Sequence, residues 1–454
     1  MDVGTISILL LLGMLFLLMI GMPLGFASGF LAFGVLLLKF GPDLLFRSFG
    51  TGPLNILAQR MYGLTTDYVL ISVPLFIFMA CLLERSGIAR DMYNSLNTFM
   101  SRTRGGIAIV TAIMAIIMAA MSGIIGGEVV LLGLIALPQM LRLGYDQNLA
   151  IGTICASGSL GTMIPPSIVL IIYGLITETS IHALFKAAFL PGFILAGCYI
   201  LYIIVRTRLN PALAPLPEGG ADVTGADKLK ALPGLIAPLL IVGVVLGSIY
   251  GGITGITEAA GMGCAAVFLL IVIRGELSWD LVRESLMRTF KSTGTILWVT
   301  FGATALAGAY SIAGGPAYVA NMIVGAEMST FVILLTMMVI FLFLGAFMDW
   351  VGIVLLVMPV FLPIVLRLPI EELAVFGSID PVHVSVWFGI LFCVNMQVSF
   401  LSPPFGPAAF YLKSVCPPEI SLTDIFKGFL PFIGIQLLIL MLILLFPAIT
   451  TVFL

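Results

Sequence analysis

The chain is poor in charged residues and in histidine, and both shortages limit what it can be. Only 9% of its 454 residues are charged, whereas a soluble domain carries about 25%. The net charge is −2, so the composition shows no basic face of the kind that binds nucleic acid. With two histidines, a histidine-based metal site is not expected. The mean hydropathy of +1.21 and the long apolar runs indicate a helical membrane protein embedded in the bilayer by several spans.

Motifs of enzymes are missing as well. The sequence contains no Walker loop, no HExxH and no nucleophile elbow. No two of the six cysteines have zinc spacing. The first 25 residues lack the basic region of a signal peptide and are predicted to contain a first span. We therefore expect neither catalytic chemistry nor an organic cofactor.

What the chain does contain is a repeated order of landmarks. Each half has a carboxylate ten residues before a proline (Glu128 and Asp349), then a Pro-Pro pair, then an FKAAFLP or FKGFLP segment. Three landmarks in the same order indicate a duplication, with repeats at 1–208 and 233–454. The segment 209–232 between them is rich in Pro, Gly and charge and is predicted to be a linker.

The distribution of basic residues predicts that the repeats are inverted. Arginines and lysines place loop 206–232 and the amphipathic stretch 274–291 in the cytoplasm. Segment 84–106 of the first half contains four arginines, whereas its counterpart 311–330 contains neither Lys nor Arg. Equivalent segments therefore lie on opposite sides of the membrane, and both chain termini are predicted to be periplasmic.

Each half is predicted to contain a re-entrant hairpin and an interrupted helix. Hairpin arms of about 16 residues are too short to cross a core of about 30 Å at 1.5 Å per residue. We place the first hairpin at 105–142 and the second at 330–366. The broken helices are placed at 147–178 and 384–413, because a Pro-Pro pair interrupts each of them. The fold class is thus an all-α polytopic membrane protein with two inverted repeats, which is typical of secondary transporters with a site near the midplane.

The path predicted for each half is simple. It runs through two spans, a surface helix, a span, another surface helix, the hairpin, the broken helix and a last span. The hairpin tips and the helix breaks are the interrupted parts of this path. They are where we expect binding.

The hairpin tips and the helix breaks carry candidate ion ligands. Carbonyls freed by a break suit a sodium ion, the freed amides suit an anionic group, and hydroxyls add hard oxygen ligands. In the first half the candidates are Ser122, Gly123, Gly126, Gly127, Glu128, Ser157, Ser159, Gly161, Thr162, Pro165 and Pro166. In the second half they are Gly345, Asp349, Gly352, Ser399, Ser402, Pro403, Pro404 and Gly406.

Each of these residues also has a simpler interpretation. Glycines and serines allow helices to pack closely, Glu128 would be hydrogen-bonded to amides of the tip, and Asp349 would cap the second arm of its hairpin. For any single residue packing is favoured, whereas two clusters in equivalent positions favour ion binding. Ion or proton handling by the two carboxylates stays open.

Several stretches resemble the large membrane subunit of TRAP (tripartite ATP-independent periplasmic) transporters. They are GGEVVLLGLIALPQMLRLGYDQNLAIGTICASGSLGTMIPPSIVLIIYG, GITEAA, GAFMDWVGIVLLVMPVFLP and DPVHVSVWFGILFCVNMQVSFLSPPFG. The resemblance runs along nearly the whole chain. Many members carry a Ser-Gly-Ser sequence at the first tip, whereas residue 124 is Ile here. Ser122 and backbone carbonyls are therefore the better candidate ligands at this tip.

The resemblance implies an elevator-type importer of small organic anions, usually carboxylates, driven by sodium ions across the bacterial inner membrane. Hairpins and broken helices would form the moving transport domain, and the remaining spans the scaffold. Two partners are implied, a small membrane subunit and a periplasmic substrate-binding protein. Since the sequence begins with the large-subunit pattern, a separate small subunit is expected.

Two alternatives are considered beside this one. The first is a stand-alone sodium- or proton-coupled dicarboxylate or anion transporter of a related inverted-repeat fold. The second, a channel or intramembrane enzyme, fits less well because the broken helices come in pairs and catalytic motifs are missing. No basic residue at a tip or break stands out as an anion clamp, so the substrate itself is not predicted.

Overall fold

The protein folds as a bundle of helices. The computed structural model describes residues 1–41, 52–100, 103–123, 126–216, 224–325 and 328–454, and the regular structure in these ranges is helical throughout. Seven of the helices found there are long and apolar enough to cross a membrane: Tyr68–Arg85, Ile181–Leu209, Pro233–Tyr250, Ile256–Ile273, Trp279–Ile312, Pro381–Leu401 and Leu422–Leu445. The all-helical, multi-pass fold class is thereby confirmed. Residue 124 and part of the predicted linker, 217–223, lie outside the described residues.

The first half contains ten helices in its described part. They are α1 (Val3–Met19), α2 (Leu24–Phe40), α3 (Pro53–Thr65), α4 (Ser72–Arg85), α5 (Ile88–Met100), α6 (Gly106–Ser122), α7 (Gly127–Arg142), α8 (Gln147–Gly158), α9 (Ile168–Thr177) and α10 (Ile181–Leu209). Helices α6 and α7 form the first hairpin. Helices α8 and α9 form the first broken helix, and the first break is the segment 159–167 between them.

The linker helix and the second half follow. They comprise α11 (Gly225–Ala231), α12 (Pro233–Tyr250), α13 (Ile256–Ile273), α14 (Trp279–Ile312), α15 (Gly315–Val324), α16 (Thr330–Gly345), α17 (Trp350–Val365), α18 (Ile370–Leu373), α19 (Val384–Leu401), α20 (Pro407–Lys413), α21 (Leu422–Leu445) and α22 (Ala448–Thr451). Helices α16 and α17 form the second hairpin. Helices α19 and α20 form the second broken helix, with the second break at 402–406.

The two halves differ where a surface helix meets a span. In the first half Asp67 lies between two helical segments. Its side chain caps the second segment by accepting a hydrogen bond from the Val69 amide at 2.9 Å. In the second half Ser278 caps the start of α14, and no proline follows within its 34 residues. The surface stretch 274–291 is therefore not a separate helix as expected, since its helical part continues into the next span.

Helices at matching positions of the two halves make matching contacts. Helix α2 packs on α14, and α4 packs on α13. Helix α1 packs on α15, and α12 packs on α5. The second part of each broken helix packs on the second hairpin arm of the other half, α9 on α17 and α20 on α7. The halves are thus interleaved through pairs of equivalent contacts.

Two helix crossings depend on glycine. A Cβ on Gly302 of α14 would overlap the Gly25 carbonyl of α2, and a Cβ on Gly152 of α8 would overlap the Gly428 carbonyl of α21. In membranes, small residues let helix backbones approach closely, and this close packing replaces the hydrophobic drive between helices. The first crossing joins α2 to α14, and the second joins the first broken helix to α21.

Candidate functional site

The tip of the first hairpin lies against the first break. Gly123 has φ +59°, and its carbonyl accepts a hydrogen bond from the Ile168 amide at 3.3 Å. A Cβ on Gly123 would overlap the Pro166 carbonyl. Only glycine combines this left-handed backbone with so close an approach. The contact places the end of α6 beside the start of α9.

A buried carboxylate lies at the same tip. Glu128, in the first turn of α7, is 1% exposed. The Ser122 hydroxyl donates a hydrogen bond to its Oε1, while Oε2 has no hydrogen-bond partner among the described residues. Buried polar atoms are normally paired. Glu128 therefore presents an oxygen that a cation would satisfy.

Hydroxyl groups line the first break behind this carboxylate. The Ser159 hydroxyl donates to the Ala156 carbonyl at 2.8 Å, and the Thr162 hydroxyl donates to the Ser159 carbonyl at 3.0 Å. Since each donates its only proton to the backbone, its lone pairs remain available to a cation. The buried Ser157 hydroxyl has no partner in the described part of the chain. Gly161 lies in the 3₁₀ turn of this break, and Pro165 follows it.

The second hairpin and the second break enclose a small cavity. A Cβ on Gly345 would overlap the Ser399 hydroxyl. Asp349 occupies the N-cap position of α17 without a capping hydrogen bond. A cavity of about 20 Å³ lies between these elements, enough for one water or ion. Its lining consists of Gly345, Met348, Asp349, Trp350, Met396, Ser399, Phe400 and Pro407.

The remaining candidates of the second half have other surroundings. A Cβ on Gly352 would overlap Leu24 of α2, so the small size of Gly352 lets α17 approach α2. Ion binding by Gly352 stays a prediction. The Ser402 hydroxyl donates to the Val398 carbonyl at 2.8 Å, and the Gly406 amide donates to the Ser402 carbonyl at 2.8 Å. These bonds form the turn of the break.

The two halves differ in accessibility. All the first-half candidates within the described residues are buried, including Pro165 and Pro166. In the second half, Asp349, Pro403 and Pro404 are exposed. The exposed candidates among the described residues therefore all belong to the second half.

Two buried amides in α19 were missed by sequence reasoning. Asn395 donates from Nδ2 to the Met338 carbonyl at 3.0 Å, and its Oδ1 is unpartnered within the described ranges, as are both amide atoms of Gln397. Counted back from the Pro-Pro pair, they occupy the positions that Ser157 and Ser159 occupy in the first half. Aligning the halves on their proline pairs would have found them.

Tyr411 of α20 joins the two hairpin tips. A Cβ on Gly126 would lie 2.7 Å from its ring, and its phenol interacts electrostatically with Asp349. Sequence reasoning missed this residue, because only the three-dimensional fold brings α20 to the first hairpin. The two tips therefore border one common region.

An ion pair between α4 and α14 also borders this region. Arg288 Nη1 lies 2.7 Å from Glu84 Oε2, and a Cβ on Gly127 would overlap the Glu84 carboxylate. The Glu84 side chain is 9% exposed and that of Arg288 is 43% exposed. From the sequence, Arg288 was only one of the basic residues that place stretch 274–291 in the cytoplasm. The fold brings it to the first tip.

Comparison with known proteins decides which transporter family this fold represents. The family model "Tripartite ATP-independent periplasmic transporter, DctM component" matches residues 11–449. The chain belongs to this family. As a TRAP DctM component with seven apolar helices, it is a multi-pass protein of the inner membrane, as the resemblance implied.

Individual relatives agree with this membership. The C4-dicarboxylate TRAP transporter large permease protein DctM of Pseudomonas aeruginosa is 30% identical over 405 residues, which are 88% of this chain and 90% of the relative. The sialic acid TRAP transporter large permease protein SiaM of Vibrio cholerae is 28% identical over 441 residues, 96% of each chain. Both are named as transporter permeases, not as enzymes.

A solved transporter shares the fold of this TRAP permease. It is the YdaH transporter of Alcanivorax borkumensis, described as having an unusual topology, with a TM-score of 0.57 and 17% sequence identity. The match covers 89% of this chain and 88% of the other. At this identity the likeness concerns the fold alone.

Proposed function

We propose that this TRAP permease imports small organic anions, carboxylates above all, together with sodium ions. The observation that carries the proposal is the pair of oxygen clusters at the hairpin tips. In one, Glu128 has an unpartnered buried oxygen beside the Ser122 hydroxyl. In the other, Asp349 and Ser399 line an ion-sized cavity. Carboxylate and hydroxyl oxygens are the ligands that hard cations prefer.

An elevator motion of the hairpins and broken helices is part of the proposal. The two broken helices are joined directly, because the Tyr173 hydroxyl donates to the Ser385 carbonyl at 2.7 Å. A Cβ on Gly389 would also lie 2.6 Å from the Tyr173 ring. Such contacts favour movement of both halves of the site as one body, relative to a scaffold of the outer spans.

The inverted orientation of the two repeats is likewise proposed. The exchanged contacts α2–α14 and α4–α13, α1–α15 and α12–α5, and α9–α17 and α20–α7 support it. We therefore place both termini in the periplasm and loop 206–232 in the cytoplasm, as the distribution of basic residues favours.

The substrate class and the partners complete the proposal. The two relatives described above are named for C4-dicarboxylates and for sialic acid, which are both carboxylic acids. We propose a carboxylate for this chain too. Its partners would be a small membrane subunit and a periplasmic substrate-binding protein, which the tripartite family implies.

Uptake by the reconstituted assembly tests this function. The permease, the small subunit and the binding protein are combined in proteoliposomes, with radiolabelled succinate or sialic acid outside. We expect uptake under an inward sodium gradient, and background levels when either sodium or the binding protein is omitted. Uptake driven by a proton gradient alone would refute sodium coupling. Full uptake by the permease alone would refute the tripartite arrangement.

A further inference from the structure

The protein uses only some of the hydrogen-bond donors of the ion pair at the first hairpin tip. Arg288 contacts Glu84 through Nη1, and its other N–H groups have no protein partner among the described residues. A guanidinium has five N–H donors in a planar fork that suits a carboxylate bidentately. With its side chain 43% exposed, Arg288 has donors that a bound anion can reach.

Other acidic side chains lie near this ion pair. Glu84 acts electrostatically on Glu128, and Arg288 and Asp349 both act on the Tyr411 phenol. Glu84 is thus the carboxylate in contact with Arg288, and Glu128 and Asp349 belong to the same region of the site. Under the proposed function, sodium ions neutralise Glu128 and Asp349. Arg288 then remains as the charge that attracts an anion, and Glu84 is the anion that competes for it.

We propose that Arg288 receives the carboxylate of the substrate and that Glu84 competes with the substrate for this guanidinium. The proposal rests on the proposed function and assigns its anion receptor. When no substrate is bound, Glu84 keeps Arg288 paired and rests against Gly127 at the start of α7. When the substrate is bound, its carboxylate pairs with the guanidinium in place of Glu84. Arg288 therefore sets the affinity for the anion and not the affinity for sodium.

A neighbouring ion pair provides a matched control. Arg85 and Glu284 lie on the same two helices, α4 and α14, and form a salt bridge. Their side chains are 35% and 57% exposed, and they border an open pocket with Gly87 and Glu276, away from the tips. Replacing this pair removes opposite charges from the same two helices and leaves the Arg288–Glu84 contact in place.

The test titrates substrate and sodium separately in proteoliposomes that contain the complete assembly. The probe is radiolabelled succinate or sialic acid, whichever the wild-type assembly takes up. For Arg288→Gln we expect the half-saturating substrate concentration to rise about tenfold or more, as for loss of a charged hydrogen bond. The half-saturating sodium concentration should stay within about twofold. Glu84→Gln should lower the half-saturating substrate concentration, and Arg85→Gln with Glu284→Gln should change neither.

The double variant Glu84→Gln/Arg288→Gln separates binding from folding. It leaves neither member of the Arg288–Glu84 pair as an unpaired charge, so a purely structural role predicts recovery of normal substrate affinity. We expect it to bind substrate as weakly as Arg288→Gln alone. Recovery in the double variant, unchanged affinity in Arg288→Gln, or weakening in Glu84→Gln would each overturn the assignment. If the wild-type assembly takes up neither acid, the proposed substrate class itself fails, and the receptor assignment falls with it.

Discussion

Gly123→Ala is expected to abolish sodium-dependent uptake and to destabilise the protein. The left-handed backbone at φ +59° costs a non-glycine residue about 1–2 kcal/mol. The new Cβ would also overlap the Pro166 carbonyl, and overpacking of this kind costs about 1–3 kcal/mol. The tip must then move away from the break. Uptake in proteoliposomes and the apparent melting temperature in detergent measure the two effects.

Gly197→Ala is the matched control for this variant. Gly197 lies inside α10, and a Cβ there would have nothing within 4 Å. Alanine is the better helix former at such a position, so stability should be equal or slightly higher and uptake unchanged. Wild-type uptake by Gly123→Ala would show that the contact between tip and break is not needed for transport.

Asp349→Asn is expected to raise the sodium concentration for half-maximal uptake by about tenfold to a hundredfold. This range corresponds to the loss of one interaction with a charged group, about 1.5–3 kcal/mol. The amide keeps the shape of the side chain and an oxygen that faces the backbone amides of Trp350 and Val351, so the change removes mainly the negative charge. The measurement is a sodium titration of uptake at saturating substrate.

Asp380→Asn serves as its control. Asp380 is also an N-cap residue of the second half, and its side chain accepts a hydrogen bond from the Val382 amide at 3.0 Å. It precedes α19 and lies outside the lining of the ion-sized cavity. We expect its sodium dependence to match the wild type. An unchanged sodium titration for Asp349→Asn would remove Asp349 from the ion site.

The local architecture of the site could be read from the sequence because it depends on local chemistry. A Pro-Pro pair removes backbone donors wherever it stands, so the positions of both breaks follow from composition. The short apolar arms around Gly123 and Asp349 likewise predict a re-entrant path for each hairpin. Whether Glu128 and Asp349 cap a helix, pack against neighbours or bind an ion depends on contacts with distant segments. The structure was needed to show the unpartnered oxygen of Glu128 and the missing capping hydrogen bond at Asp349.

The parts that the sequence missed depend on contacts between distant segments. Glu84 and Arg288 are 204 residues apart, and each looks like an ordinary charge near a helix end. Tyr411 resembles any aromatic residue in an apolar helix until the fold brings it to Gly126. The close contact of Gly352 with Leu24 was missed for the same reason, since it joins α17 to the distant helix α2.

The unequal burial of the two halves of the site has a consequence for the sequence of events. Under the proposed function, an ion at Glu128 and Ser157 lies among buried residues, whereas an ion at Asp349 lies beside an exposed side chain. Under the proposed function the two ions therefore do not leave independently. The ion at Asp349 is expected to leave first, and the ion at Glu128 is expected to leave second. Sodium release from this conformation should accordingly show two kinetic phases of unequal rate.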